Sequence, residues 1–302
     1  MKDSVIAENL GKTFGDTIAL QDISFTAGKG ELFGFIGPDG AGKTTLFRIL
    51  TTLLLPGTGR VTIEGHDVVK DFRKVRDMLG YMPGRFSLYQ DLTVEENLRF
   101  FAGIFKTTPE ANYDLVKEIY SQIEPFRDRR AGKLSGGMKQ KLALSCALIH
   151  RPAVLILDEP TTGVDAVSRR EFWEMLARLK QAGITILVST PYMDEASRCD
   201  RIALIQGGKI MEINSPEGII GNFDQKLWSV SAEDIHALLL DLRGFEGTRT
   251  AFLFGGNIHL TLKEKFNSGD LIKKFLEDKG HRLVKVGRIE PTIEDCFMEL
   301  MN

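Results

Sequence analysis

The chain of 302 residues carries 39 Lys+Arg against 41 Asp+Glu, for a formal charge of −2 and a pI of about 6.3, and this lack of a basic excess argues against a general nucleic-acid binder. Hydrophobic residues at 43% and charged residues at 26% are the balance of a globular protein with one large domain or two moderate ones. Cys146, Cys199 and Cys296 lie too far apart for a metal-ligand pattern or a disulfide framework, and no signal-peptide core or long apolar run is present, so the chain is expected in a reducing cytoplasm, reaching a membrane only through a partner.

Ser4–Leu10 alternates in polarity and Ala19–Phe25 reads as a second strand, with a turn expected over Gly11–Gly15. Phe14 stands just before the turn glycine, where it could stack on an adenine face or serve as an ordinary hydrophobic turn residue. Leu32–Ile36 is an apolar run that reads as a buried strand. Gly37-Pro38-Asp39-Gly40-Ala41-Gly42-Lys43-Thr44 then fits G-x-x-x-x-G-K-[ST] at every fixed position, and Leu46, Ile49, Leu50 and Leu53 follow at helical spacing. Strand, glycine loop and helix supply inward-pointing N–H groups and the positive end of a helix dipole, which together hold phosphate. In that frame Lys43 would reach the terminal phosphates, Thr44 would ligate Mg²⁺ and Thr45 would add a further phosphate contact.

Gly59–Glu64 reads as a strand, Phe72–Met78 as a short helix and Leu79–Met82 as another strand, broken by Pro83-Gly84-Arg85. Thr93 and Glu96 make a capping box for a helix that carries Leu98, Phe101, Ala102 and Phe105 on one side. A second helix is expected over Pro109–Ile123, so the stretch of about 85–150 reads as a helical subdomain inserted in an α/β pattern. Leu134-Ser135-Gly136-Gly137-Met138-Lys139-Gln140 opens a helix to about His150 and offers a second anion-binding N-terminus.

Val154–Leu157 is a wholly apolar strand that ends in Asp158-Glu159. Asp158 stands where a carboxylate can bind the Mg²⁺ water shell, and Glu159 where it can orient or deprotonate an attacking water. Gly163-Val164-Asp165 turns just beyond. A helix over Ser168–Ala182, the strand Thr185–Ser189, a helix over Asp194–Arg198 and the strands Arg201–Gln206 and Lys209–Ile213 complete an alternation that predicts a mostly parallel sheet with both faces covered. One nucleotide does not need two anion-binding N-termini. Two chains packed head-to-tail would, each closing Ser135–Gly137 on the other's phosphates, with Asp165 placed to touch the partner's nucleotide.

Near Gly221–Asp224 the pattern changes, which predicts an ATP-binding domain over 1–222 and an accessory α+β domain over 223–302. Strand Leu227–Ser231, helix Asp234–Leu242, strands Thr248–Phe254 and Asn257–Leu262, helix Ser268–Lys279 and strand Arg282–Arg288 give the order βαββαβ, a ferredoxin-like pattern, followed by a helix over Thr292–Met301. This region holds no catalytic motif.

These residues resemble the ATP-binding cassette family, the nucleotide-binding subunits of ABC transporters, over roughly Val5–Asn222. GPDGAGKTT is similar to its Walker A, LSGGMKQ to its signature, LILDEP to its Walker B and TTGVD to its D-loop, and Phe14 lies where the family places an adenine-stacking aromatic. YMDEASRCDRIALI and the tail EPTIEDCFMELM are most similar to type-2 ATPases of drug and polymer export. The resemblance implies a P-loop cassette with an antiparallel β subdomain and a helical insertion, ATP and Mg²⁺ as cofactors, and ATP-driven export through a transmembrane permease subunit at the inner face of the cell membrane. It implies a second cassette as partner, with Leu134, Ser135, Gly136, Gly137 and Gln140 serving that partner's site. One cassette with a short insertion sets the chain apart from the soluble cassette proteins of translation and DNA repair.

Two positions depart from the family pattern. Tyr81-Met82-Pro83 is followed by Gly84, where the family has a Gln that ligates Mg²⁺ and senses the membrane partner, and Ser189-Thr190 by Pro191, where it has a His that contacts the γ-phosphate. Glycine offers only backbone, and proline neither a side-chain donor nor an N–H. MgATP binding is therefore expected to persist while hydrolysis at the chain's own site is slow. A heterodimer with a second cassette that keeps both groups is the economical arrangement, and a nucleotide-gated assembly module with little turnover is the alternative.

Overall fold

Runs of alternating polarity near the start and continuous apolar runs later sort the strands of the first unit into two sheets. In the computed structural model, which describes residues 3–301, the alternating runs form β1 (Asp3–Phe14) and β2 (Thr17–Gly28), paired antiparallel. The apolar run that follows is β3 (Leu32–Ile36), buried at every residue, and the glycine loop leads into α1 (Lys43–Leu50). β4 (Thr58–Ile63) and β5 (His66–Asp67) return to the first sheet, whose order is β2-β1-β4-β5. The turn expected over Gly11–Gly15 is shorter than predicted: β1 runs through Phe14, and only Gly15 and Asp16 separate it from β2. Gly11 is glycine for close approach rather than for turning, because a Cβ there would lie 2.4 Å from Oγ1 of its partner Thr58.

α2 (Phe72–Met78) and β6 (Leu79–Met82) come next, then the helical insertion with α3 (Val94–Ile104), α4 (Tyr113–Tyr120) and α5 (Gly136–Leu148). The capping box at Thr93 and Glu96 forms as expected, with each side chain bonded to the other's backbone N–H. The single helix expected over Pro109–Ile123 is instead a 3₁₀ turn at Glu110–Asn112 followed by α4, because Asn112 turns its side chain to Thr107 and the Ile149 carbonyl.

β7 (Val154–Asp158), α6 (Ala166–Gln181), β8 (Thr185–Thr190), β9 (Arg201–Gln206) and β10 (Lys209–Asn214) complete the second sheet, of order β10-β9-β3-β8-β7-β6. The strands from β9 to β6 are parallel, and β10 joins antiparallel at the edge. The segment expected as a helix over Asp194–Arg198 is a 3₁₀ helix, Met193–Arg198. The core centres on Phe25, Phe33, Phe35 and Phe47, with Phe35 edge-on to both Phe25 and Phe47. The first unit is thus an α/β fold with one mostly parallel sheet and one antiparallel sheet, with the glycine loop between β3 and α1.

The second unit runs from residue 217, a few residues before the expected change at 222/223, with α7 (Pro216–Gly221) at the division. Its order is β11 (Leu227–Ser231), α8 (Ile235–Gly244), β12 (Thr248–Phe254), β13 (Asn257–Leu262), α9 (Gly269–Asp278), β14 (Lys285–Ile289) and α10 (Ile293–Leu300). The sheet is wholly antiparallel in the order β12-β13-β11-β14. Leu238 and Leu242 of α8 and Ile272 and Leu276 of α9 share one core with Val230, Ala251, Ile258 and Leu260, so both helices cover the same face of the sheet. Among the described residues no helix is long and apolar enough to cross a membrane, and Cys146, Cys199 and Cys296 are all buried.

Candidate nucleotide site

In a parallel sheet every strand points the same way, so the loops after neighbouring strands gather at one edge, where ligands of such folds bind. Here the edge is built from the ends of β3, β8, β7 and β6, which lie side by side in that order. Register brings Ile36 opposite Thr190, Asp158 opposite Ser189, and Met82 opposite Leu157.

The loop after β3 wraps around Lys43. Its ammonium, 3% exposed, donates to the carbonyls of Gly37 at 2.8 Å and Pro38 at 2.9 Å and pairs with Glu159 Oε1 at 3.1 Å. Gly42 caps α1 at φ +104°, a conformation open to glycine, and a Cβ there would also strike the Ala19 carbonyl at 2.6 Å. Ala41 N donates to Pro38 O, while Asp39, Gly40 and Thr44 face solvent and Thr45 is half-buried. Thr44 Oγ1 donates to Asp158 Oδ1 at 3.2 Å. The structure therefore brings Lys43, Thr44, Asp158 and Glu159 into direct contact across the sheet edge.

Glu159 has φ +50°, in the left-handed region that side chains other than glycine adopt at a cost of order 1–3 kcal/mol. Its N–H is held by Ser189 O at 3.1 Å and Ser189 Oγ at 3.0 Å, and Ser189 Oγ also donates to Asp158 Oδ1 at 2.7 Å. Thr190 O accepts from Gly37 N at 3.3 Å, which ties β8 to the loop itself. Ser189 and Thr190 thus position the site, a role that sequence reasoning missed; the signal was two hydroxyls at the end of the otherwise apolar strand TILVST. Burial, reinforced by the Asp158 charge, pushes the Tyr81 hydroxyl up to about 12.

Phe14 lies half-exposed at the end of β1, with the Lys12 ammonium 5.3 Å from its ring centroid. The Ser135–Gln140 segment does not join the phosphate loop. Ser135 caps α5 by accepting from Met138 N, and Leu134 is buried beside it. Cβ atoms on Gly137 and Gly136 would lie 2.8 Å from Ser168 Oγ and 3.6 Å from Gly163 O, so this segment packs on the start of α6, and Gln140 is half-buried. Asp165, exposed, caps α6 by accepting from the N–H groups of Val167 and Ser168, and these bonds, led by the Ser168 N–H, hold its carboxyl below the usual range. Gly84 stands against the corner at Asp158, where a Cβ would be 3.0 Å from the Asp158 carbonyl, and Pro191 follows directly on Thr190.

A family model described as "ABC transporter" matches residues 20–162. Over 305 residues the chain is 33% identical to the daunorubicin resistance ATP-binding protein DrrA2 of Streptomyces coeruleorubidus, covering 98% of this chain and 94% of that protein. The chain belongs to the ABC transporter ATP-binding proteins, an ATPase family. This cassette is also 37% identical over 309 residues to the probable multidrug ABC transporter ATP-binding protein YbhF of Escherichia coli K12; all of the chain is covered, but it spans only 53% of that relative. Among solved structures, the dimeric structure of MJ0796, a bacterial ABC transporter cassette, matches with a TM-score of 0.63 and 26% identity over 70% of this chain and 98% of the other.

Proposed function

We propose that this chain is the ATP-binding and hydrolysing subunit of an ABC exporter, working beneath a membrane permease and paired with a second cassette. The observation that carries the reading is the meeting of Lys43, Thr44, Asp158 and Glu159 at one sheet edge behind a loop of backbone N–H groups. In this reading Gly37 to Thr45 cradle the phosphates, Lys43 exchanges its carbonyl and Glu159 partners for phosphate oxygens, and Phe14 stacks on adenine. Thr44 and Asp158 present adjacent hydroxyl and carboxylate oxygens, a donor set that suits Mg²⁺, and these two residues would hold it; the ion would neutralise phosphate charge there. Glu159 orients the attacking water. Export is supported by the names of the relatives, a drug-resistance and a probable multidrug ATP-binding protein.

Dimerisation is supported by the dimeric relative and by the placement of Leu134 to Gly137, Gln140 and Asp165 away from the chain's own phosphate loop, free to serve a partner's. A groove of about 660 Å³ beside Tyr81-Met82-Pro83, floored by Leu79, Leu88, Phe105 and Cys146, supports an apolar seat for the permease, which would hold the cassette at the inner face of the membrane. The order β12-β13-β11-β14, with both core helices on one face, supports reading residues 223–302 as a ferredoxin-like accessory domain.

Gly84 and Pro191 favour a slow own site inside a heterodimer whose other cassette keeps the Gln and His, and they equally suit a nucleotide-gated assembly module. Single-turnover hydrolysis of MgATP by Pro191→His, alone and with Gly84→Gln, separates these ideas from a fully active site. The account expects a faster rate with Pro191→His, and a smaller gain from Gly84→Gln because its Cβ must displace the Asp158 carbonyl by a few tenths of an ångström. A wild-type chain that already turns over at the roughly 1–10³ s⁻¹ of ordinary enzymes overturns the slow-site reading.

A further inference from the structure

Glu195 is 3% exposed, yet it touches none of the groups assigned to nucleotide chemistry. Burying a carboxylate is unfavourable by several kcal/mol unless it is paired and hydrogen-bonded, so its partners say what it is for. Oε2 accepts from Thr190 Oγ1 at 2.6 Å and from Thr161 Oγ1 at 3.0 Å, both hydroxyls being buried. Oε1 faces Arg169 Nε at 3.3 Å as an ion pair without hydrogen-bond geometry. Arg169 is itself held by Asp194 Oδ2 at 3.0 Å and lies over the Tyr192 ring at 4.4 Å.

The three partners come from three segments. Thr190 ends β8, with its carbonyl on Gly37 N and its hydroxyl also accepting from Tyr192 N across Pro191. Thr161 lies in the stretch between Glu159 and Asp165, whose turn is closed by Thr162 N on Glu159 O and Val164 N on Thr161 O. Arg169 lies in the first turn of α6, its N–H on the Asp165 carbonyl. One carboxylate therefore fixes the strand end that grips the phosphate loop, the segment that carries Glu159, and the helix that Asp165 caps.

We propose that Glu195 is a positioning residue that locks these three segments into one rigid body, so that Glu159 keeps its place against the nucleotide and a change at the phosphates reaches the Asp165 turn that faces the partner cassette. Pro191, directly after β8, offers the nucleotide no side-chain donor, and the Thr190–Glu195–Thr161 bridge makes that link from behind. The inference rests on the nucleotide-site reading above.

The test uses the full-length chain with Thr161→Val, Thr161→Ser and Glu195→Gln. Thr161→Val keeps the shape and removes one donor to Oε2, Thr161→Ser restores the hydroxyl, and Glu195→Gln keeps the hydroxyl bonds but turns an amide toward Arg169. Lys43 and the phosphate loop are untouched, so MgADP affinity by calorimetry should stay within about twofold of wild type in all three. Single-turnover hydrolysis of MgATP should slow by about tenfold or more in Thr161→Val and Glu195→Gln, since small misplacement of a reacting group is that costly, with KM unchanged and Thr161→Ser close to wild type. A Thr161→Val chain as fast as wild type overturns the proposal, and so does a loss of MgADP affinity in step with the rate, which would make the bridge a fold element only. If Glu195→Gln fails to fold, the two Thr161 variants decide. A wild-type chain that binds no MgADP overturns the nucleotide-site reading itself and the proposal with it.

Discussion

In the six-stranded sheet of the first unit, the ends of β3, β7 and β8 link Lys43, Glu159, Ser189 and Asp158, in that order, into one chain of ion pair and hydrogen bonds. In the antiparallel sheet of the second unit, two histidine–aspartate couples stand apart from each other. His259 Nδ1 meets Asp295 Oδ1 at 2.6 Å, joining β13 to α10, and His281 Nε2 meets Asp241 Oδ2 at 2.9 Å, joining the segment after α9 to α8. Strand direction explains the difference. Parallel strands deliver all their following loops to one edge, whereas antiparallel strands send alternate loops to opposite edges, so polar residues there meet in pairs that staple elements together. The first arrangement gathers charged groups whose partners a ligand can replace, and the second spreads its pairs over separate elements.

The sharpest way to break that comparison is to remove the exchangeable groups. Glu159→Gln should reduce single-turnover hydrolysis of MgATP by about 10²-fold or more, as loss of a positioned base typically does, without weakening MgADP binding. An unchanged rate would mean that Glu159 is only a counter-ion for Lys43. Lys43→Ala removes the ammonium that we propose reaches the terminal phosphates. A hydrogen bond to a charged group contributes about 1.5–3 kcal/mol, so calorimetry should show MgATP affinity lower by roughly 10–150-fold. Asp295→Ala in the second unit should act on stability alone. It strips His259 of its partner and α10 of its capping box, and caps contribute about 0.5–2 kcal/mol, so unfolding of that unit should shift while MgATP affinity does not.

How far these two regions were legible in the sequence follows from the same physics. The phosphate loop, β6, β9, β12 and β13 lie where a neighbouring glycine or proline marks their ends, and α2 and β11 also lie where the sequence places them. The β1 hairpin was misjudged because Gly11 serves a contact with Thr58, far along the chain, and a glycine reads the same in a turn as under a close neighbour. The residues that hold the site in shape were hidden for a similar reason. Ser189 meets Asp158, and Glu195 meets Thr161, only because strand register brings them together across more than thirty positions. Motif positions announce the groups that touch a ligand, whereas the groups behind them are ordinary polar residues until the sheet is assembled.

The smallest expected effect is on acid stability. The Asp241 carboxyl is held below the usual aspartate range, first by the His281 hydrogen bond and then by Lys279 nearby. A depressed carboxylate contributes stability that is fully present above its unfolded value of about 4 and is lost as pH falls through the lower folded value. Acid unfolding of the second unit should therefore steepen below about pH 4, and His281→Ala should flatten that part of the profile by removing the largest cause of the depression. A profile that His281→Ala leaves unaltered would show that the His281 hydrogen bond does not hold the Asp241 carboxyl down.

The central claim is that the edge of the parallel sheet is a nucleotide site whose lysine waits on replaceable partners. Calorimetric titration of the full-length wild-type chain with MgATP, beside Lys43→Ala at the same protein concentration, tests it most directly. The account predicts one saturable site per chain in the wild type and an affinity lower by roughly 10–150-fold in the variant, with the variant still folded. Equal affinity in the two chains, or no binding in the wild type, would contradict it.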